Sequence, residues 1–145
     1  MSMQATIENI LKHNKLLEAF QVSEDFHVRI ENEPYMRLVI ERHEDEISIA
    51  HYFEQNGDAM RDPEITFRFP DWTPTTITQD PVGRYSEVFF LTENGVQKYR
   101  PRLLRELRSF ASMWSKNLNN QHFATRGKAI SLTHPMGDIL NLEVT

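Results

Sequence analysis

The chain contains no cysteine. That excludes a disulfide framework, a thiolate zinc site and a cysteine nucleophile, and it fits a reducing compartment. Glycine is scarce, with five residues in 145, and none of them forms a phosphate-cradling loop. No apolar run approaches the roughly 20 residues needed to span a bilayer. The opening stretch MSMQATIENI lacks the basic and apolar segments of a signal peptide. A cytoplasmic protein with no membrane partner is therefore expected. Ser48, Ser86, Ser109, Ser112, Ser115 and Ser131 stand in no nucleophile-elbow sequence and beside no evident base. No catalytic residue and no cofactor is assigned.

What is present suits one folded domain over 1–145: 39% of residues are hydrophobic and 10% aromatic, enough for a core without covalent staples. The net charge of −5 conceals a division. Residues 1–97 carry eight basic and eighteen acidic side chains, whereas residues 98–145 carry eight basic and three acidic. Such asymmetry marks either an interaction surface or a basic helix lying against an acidic sheet. The excess of negative charge argues against nucleic acid as a partner.

Periodicity organises the chain. TIENILKHNKLLEAF places Ile7, Ile10, Leu11, Leu17 and Phe20 near one helical face, with Thr6 as the expected N-cap of a helix over 1–22 and Asn14 interrupting the stripe. DFHVRIEN alternates strictly, with Phe26, Val28 and Ile30 on one side. YMRLVIERH, EISIAHYFEQ and EITFRF follow as strands, and TPTTITQ reads as an edge strand because of its prolines. RYSEVFFLT, apolar on both faces near its end, reads as a central strand, and Asn94–Gly95 as a second hairpin turn. After Pro101, residues Leu103, Leu107, Phe110, Ala111, Trp114 and Leu118 recur at helical spacing over 101–120. Arg105, Arg108 and Lys116 fall on the other side as a secondary basic face. A C-terminal extension, 128–145, offers one or two short strands broken by Pro135 and Gly137. The expected fold is α+β: a mostly antiparallel sheet of about five to six strands over 25–99, an N-terminal helix, and a long amphipathic helix packed on the sheet.

The most patterned stretch is HYFEQNGDAMRDPEITF, from His51 to Phe67. Asn56–Gly57 between alternating runs signals a two-residue type I′ hairpin. A regular ladder from that turn would pair Ile49 with Glu64 and send Ile65 and Phe67 to the wrong face. One extra residue in the second strand, between Met60 and Pro63, corrects the register. His51 then falls on the apolar face, with Asp62 as its expected partner. His51, Glu54, Asp58, Asp62 and Glu64 could instead converge on a divalent cation, although the spacing matches no known metal loop. No metal site is assigned.

The same stretch, with Trp72–Pro74 and FASMWSKNLNNQHF, resembles a small bacterial family of unassigned activity, found also in phages and other mobile elements. The resemblance covers roughly 26–123. It implies His51, Glu54, Gln55, Asn56, Gly57, Asp58, Asp62, Pro63 and Glu64 as motif positions, and glycine would be usual where this chain has Gln121–His122–Phe123. The expected function is a macromolecule-binding accessory protein of a bacterium, phage or mobile element, with another protein as partner. Inhibition of a host defence complex is its narrower form. The candidate contact comprises His51, Glu54, Gln55, Asn56, Gly57, Asp58, Arg61, Asp62 and Glu64. The alternative is a metal-dependent hydrolase built on the same hairpin.

Overall fold

The computed structural model describes residues 2–133. The N-terminal helical segment is two helices rather than one. Ser2 caps the first, α1 (Met3–His13), its Oγ accepting from the Ala5 N–H at 3.1 Å. Thr6, the expected cap, is fully buried inside α1, where its Oγ1 accepts from Asn119 Nδ2 at 3.0 Å. Lys15 adopts a left-handed φ of 61°. Leu16 N–H then bonds to Leu11 O at 2.8 Å and Lys15 N–H to Lys12 O at 3.0 Å, which closes the helix in a Schellman arrangement. Helix α2 (Leu17–Val22) follows. Asn14 does more than interrupt a stripe: its Nδ2 donates to Ile10 O at 2.9 Å and Gly127 O at 3.0 Å, while its Oδ1 accepts from Ala129 N–H at 2.9 Å.

Seven antiparallel strands form one sheet, one or two more than expected. They are β1 (Asp25–Glu31), β2 (Arg37–His43), β3 (Glu46–Gln55), β4 (Asp58–Arg68), β5 (Thr73–Gln79), β6 (Arg84–Glu87) and β9 (Lys128–Thr133). Their order is β6-β5-β4-β3-β2-β1-β9, so a meander of six is extended at its first strand by the last one. One face is apolar: Phe26, Val28, Ile30, Leu38, Ile40, Ile47, Ile49, Ile65, Phe67 and Ile77 meet Ile7, Ile10, Leu11 and Phe20 of the N-terminal helices. On the late helix α3 (Pro101–Asn120), Leu107, Ala111, Trp114 and Leu118 are buried, as the spacing predicts, and Leu103 and Phe110 are half-buried. Arg105, Arg108, Ser112 and Lys116 are exposed. The part of the C-terminal extension containing Pro135 and Gly137 lies outside the described residues.

Two strand expectations are corrected. TPTTITQ is not an edge, because β6 pairs beyond it; Pro74 sits where the β4–β5 register shifts, between Thr66 and Phe67. RYSEVFFLT is not central. It divides at fully buried Val88, whose N–H bonds to Thr75 O and whose carbonyl accepts from Arg100 N–H. Before Val88 the chain is the sheet's edge, and after it β7 (Phe89–Leu91) pairs only with β8 (Gln97–Tyr99) in a separate ribbon. The aromatic faces that suggested a buried strand are covered by cations: Arg68 lies 4.6 Å over the Phe89 ring and Arg100 4.2 Å over Phe90. The ribbon does turn at Asn94–Gly95, with Gly95 at φ 77°.

Between α3 and the short α4 (Phe123–Arg126), His122 has φ 63°, at the place where the resemblance puts glycine. A left-handed L-residue costs about 1–2 kcal/mol, and glycine's extra chain entropy costs about 0.5–1. His122→Gly should therefore stabilise the fold by up to about 1.5 kcal/mol. Urea unfolding checks this, and a loss of stability would mean that the His122 side chain makes a contact worth more than the backbone strain.

Candidate functional site

The β3–β4 hairpin is built as the patterning requires. Asn56 and Gly57 take φ values of 54° and 84°, both left-handed, so a two-residue type I′ turn closes the pair Gln55–Asp58. Pairing is regular through Tyr52–Arg61, resumes at Ala50–Glu64, and leaves Asp62 and Pro63 together opposite His51. Ile49 accordingly faces Ile65, and Ile47 faces Phe67.

The bulge distributes the candidate residues over three surfaces. Glu54, Gln55, Asn56, Gly57 and Asp58 form an exposed tip, and among the described residues their side chains make no hydrogen bond or ion pair. Arg61 and Glu64 belong to the polar face of the sheet. Arg61 donates to Asp80 from its backbone N–H at 2.8 Å and from Nε at 3.1 Å, and it reaches Glu64 Oε1 at 3.1 Å. Glu64 Oε2 accepts from Ser48 Oγ at 2.6 Å. The Arg61 guanidinium and N–H hold the Asp80 carboxyl below the usual carboxylate range. Burial, with the charges of Glu64 and Glu41, raises the Tyr52 phenol. These groups are occupied in clamping the hairpin to the 3₁₀ turn at Asp80–Val82.

His51 lies on the helix side, 8% exposed. Its ring packs against Trp114 and Phe123, with centroids 5.4 and 5.9 Å away. The expected pairing with Asp62 is absent. His51 Nδ1 meets the Arg37 carbonyl at 3.2 Å instead, so Nδ1 carries the proton, and Asp62 contributes only a weak field. Burial lowers the imidazole pKa against the backbone bonds that raise it. Asp62 itself is half-buried within the bulge. Among the described residues no three His, Asp or Glu side chains are placed to hold one metal ion.

A cleft of about 240 Å³ opens at the foot of the hairpin, floored by His51, Pro63 and Trp114. Tyr35, Met36 and Met113 rim it, and they are 43%, 42% and 54% exposed. The Asn117 and Gln121 amides lie at its end towards the α3 C-terminus. Trp114 Nε1 is buried without a hydrogen-bond partner among the described residues. Met113 also borders a shallow depression lined by Arg108 and Lys116, so the basic face and the apolar cleft share one rim. Arg105 lies outside both. The sequence pattern places Tyr35 and Met36 at the start of the second strand, which begins only at Arg37, and Met113 falls off the helical stripe, so none of the three stands out as a site residue. No helix among the described residues is long and apolar enough to cross a membrane.

Residues 5–124 match the family described as Domain of unknown function (DUF6908). The chain belongs to this family. No curated protein and no solved structure matches it. The DUF6908 span contains the hairpin, the cleft and the whole of α3.

Neutral, buried His51 has a pH signature. Its ordinary pKa is 6.5 and the folded value is lower. As pH falls below 6.5, the unfolded chain takes the proton first, so the stability tied to neutral His51 is whole above that pH and is lost towards the depressed value. His51→Gln should melt with a flatter pH dependence than the parent chain between about pH 7.5 and pH 5. Parallel profiles would show that the imidazole is solvated when charged.

Proposed function

We propose that this DUF6908 protein is a small binding protein of a bacterium, phage or other mobile element that acts by holding a protein partner. The observation that carries this reading is the open apolar cleft, rimmed by exposed Tyr35, Met36 and Met113. Exposed apolar side chains around a concave floor are where a partner's anchor residue gains most from leaving water. The cations beside Met113 suit an anchor flanked by acidic residues. The hairpin tip supplies a second contact, with Glu54 and Asp58 uncommitted to the fold. Inhibition of a host defence complex is the narrower form of this reading, and it is compatible with a 17.1 kDa acidic chain.

The hydrolase alternative needs His51 and the acidic hairpin residues at one point, and they lie on separate surfaces. A cation held well above its dissociation constant would add roughly 2–4 kcal/mol. Millimolar Mg²⁺, Mn²⁺, Ca²⁺ or Zn²⁺ should leave the melting temperature unchanged, and a rise lost on replacing Asp58 and Asp62 would favour the hydrolase.

Two surface variants test binding itself. Met36→Glu with Met113→Glu alters the cleft rim, and Glu54→Ala with Asp58→Ala alters the tip. Both pairs are exposed and should shift stability by less than about 1 kcal/mol. Quantitative capture from bacterial lysate should identify a protein retained by the parent chain and lost from the rim variant. If both variants retain everything the parent chain retains, the reading fails.

A further inference from the structure

Exposed large apolar side chains are unevenly spread. Of nine among the described residues, five fall between 82 and 99: Val82, Tyr85, Leu91, Val96 and Tyr99, exposed by 74%, 62%, 70%, 54% and 53%. Scattered single residues of this kind need no explanation, but a concentration does. These five lie on or beside two features that are themselves incomplete. Strand β6 is the sheet's edge, with one side of its backbone unpaired by any described strand. The β7–β8 ribbon has two strands of three residues, and every residue of β8 is exposed. A two-stranded ribbon alone is marginal in water. This one is fixed at its base by Val88 and by the two arginine–phenylalanine stacks.

Charge identifies the occupant. A groove of about 650 Å³ runs between the β2–β3 turn and the ribbon base. Glu44, Asp45, Glu46 and Glu87 outnumber His43 and Arg68 in its lining, which also includes the exposed Tyr85 ring, so the groove is acidic on balance. Directly beside it, Arg100 donates from Nη1 to Glu87 O at 2.9 Å, and exposed Lys98, Arg100 and Arg102 continue into the start of α3. A polyanion meeting this surface would face the acidic wall, and a polycation would face Lys98, Arg100 and Arg102. A surface of the same mixed composition faces neither conflict. We infer that it is the interface of a homodimer, in which the β6 edges and β7–β8 ribbons of two copies meet about a two-fold axis. The basic strip from Lys98 to Arg102 of each copy then lies along its partner's acidic groove, the ribbon itself being neutral with Glu93 against Lys98, the self-complementary arrangement of an isologous contact. The cleft lies along the second half of α3, and the ribbon joins its first residue. The cleft residue of α3 nearest the ribbon, Phe110, stands nine residues, about 14 Å, along the helix from Pro101, and no residue lines both the cleft and the groove, so this inference rests on other side chains than the proposed binding role.

Sedimentation equilibrium of the full chain tests it. The mass should rise from 17.1 kDa to twice that value between about 1 and 200 µM, with weaker association at high salt. Leu91→Glu combined with Val96→Glu should weaken dimerisation at least about 100-fold while leaving the far-ultraviolet circular dichroism unchanged. The absence of cysteine permits a second measurement that reads the geometry of the contact rather than the mass. Tyr85→Cys should give a covalent dimer with a short bis-maleimide at the concentrations where the mass doubles, and Val22→Cys, exposed elsewhere, should not. A monomer throughout the range, a dimer unmoved by the ribbon variants, or equal cross-linking at both positions would overturn the proposal.

Discussion

Opposite His51, strand β4 spends two residues, Asp62 and Pro63, where β3 spends one. Every side chain of β4 beyond that point faces the correct side because of this. Ile65 and Phe67 are buried at 0% and 2% exposure, each worth about 1.5–3 kcal/mol of apolar burial. Together they approach the lower end of the roughly 5–15 kcal/mol that holds an ordinary domain folded. An unbroken ladder would forfeit that and place Glu64 in the core. The same irregularity sets Pro63 and His51 side by side as the cleft floor. Register and candidate site thus have one cause.

Buried polar groups are satisfied by long-range bonds to backbone more than by ion pairs. Arg42, 6% exposed, has no carboxylate partner within the described residues. Its Nη1 donates to Phe20 O and Gln21 O at 2.9 and 2.7 Å, its Nε donates to Glu44 O at 2.8 Å, and its guanidinium lies 3.6 Å over the Phe69 ring. The carbonyls come from the last turn of α2, where a cation also meets the negative end of the helix. One arginine therefore docks α2 on the sheet and fixes the β2–β3 turn. Exposed ion pairs such as Arg84–Glu106 at 2.8 Å contribute little beside this.

Features written in local periodicity were legible in the sequence: the alternation of β1, the stripe of α3, the type I′ turn and the compensating bulge. Each follows from residues close together in the chain. What was missed depends on distant partners. The division of RYSEVFFLT at Val88 is set by Thr75 and Arg100. The partner of His51 is the Arg37 carbonyl, which any residue at that position would provide. Asp80, the main partner of Arg61, stands 19 residues further along the chain. The candidate residues were found as a cluster in sequence, but strand alternation assigns neighbours to opposite faces, so adjacency in the hairpin did not become proximity in space.

Asn14 and strand β9 impose an order on biosynthesis. The cap of α1 is complete only when the Gly127 carbonyl and the Ala129 N–H arrive, 113 and 115 residues later, and β9 is also what covers the outer edge of β1. At about 5–20 residues per second of translation, that interval lasts roughly 6–23 seconds. Throughout it the nascent chain presents an unpaired β1 edge and a helix without its final bonds. Gly127 closes the gap with no tolerance, since a Cβ there would stand 2.5 Å from Phe123 O and 2.8 Å from Ile30 Cγ2. The joint through which β9 reaches the sheet is therefore a position that accepts only the smallest residue.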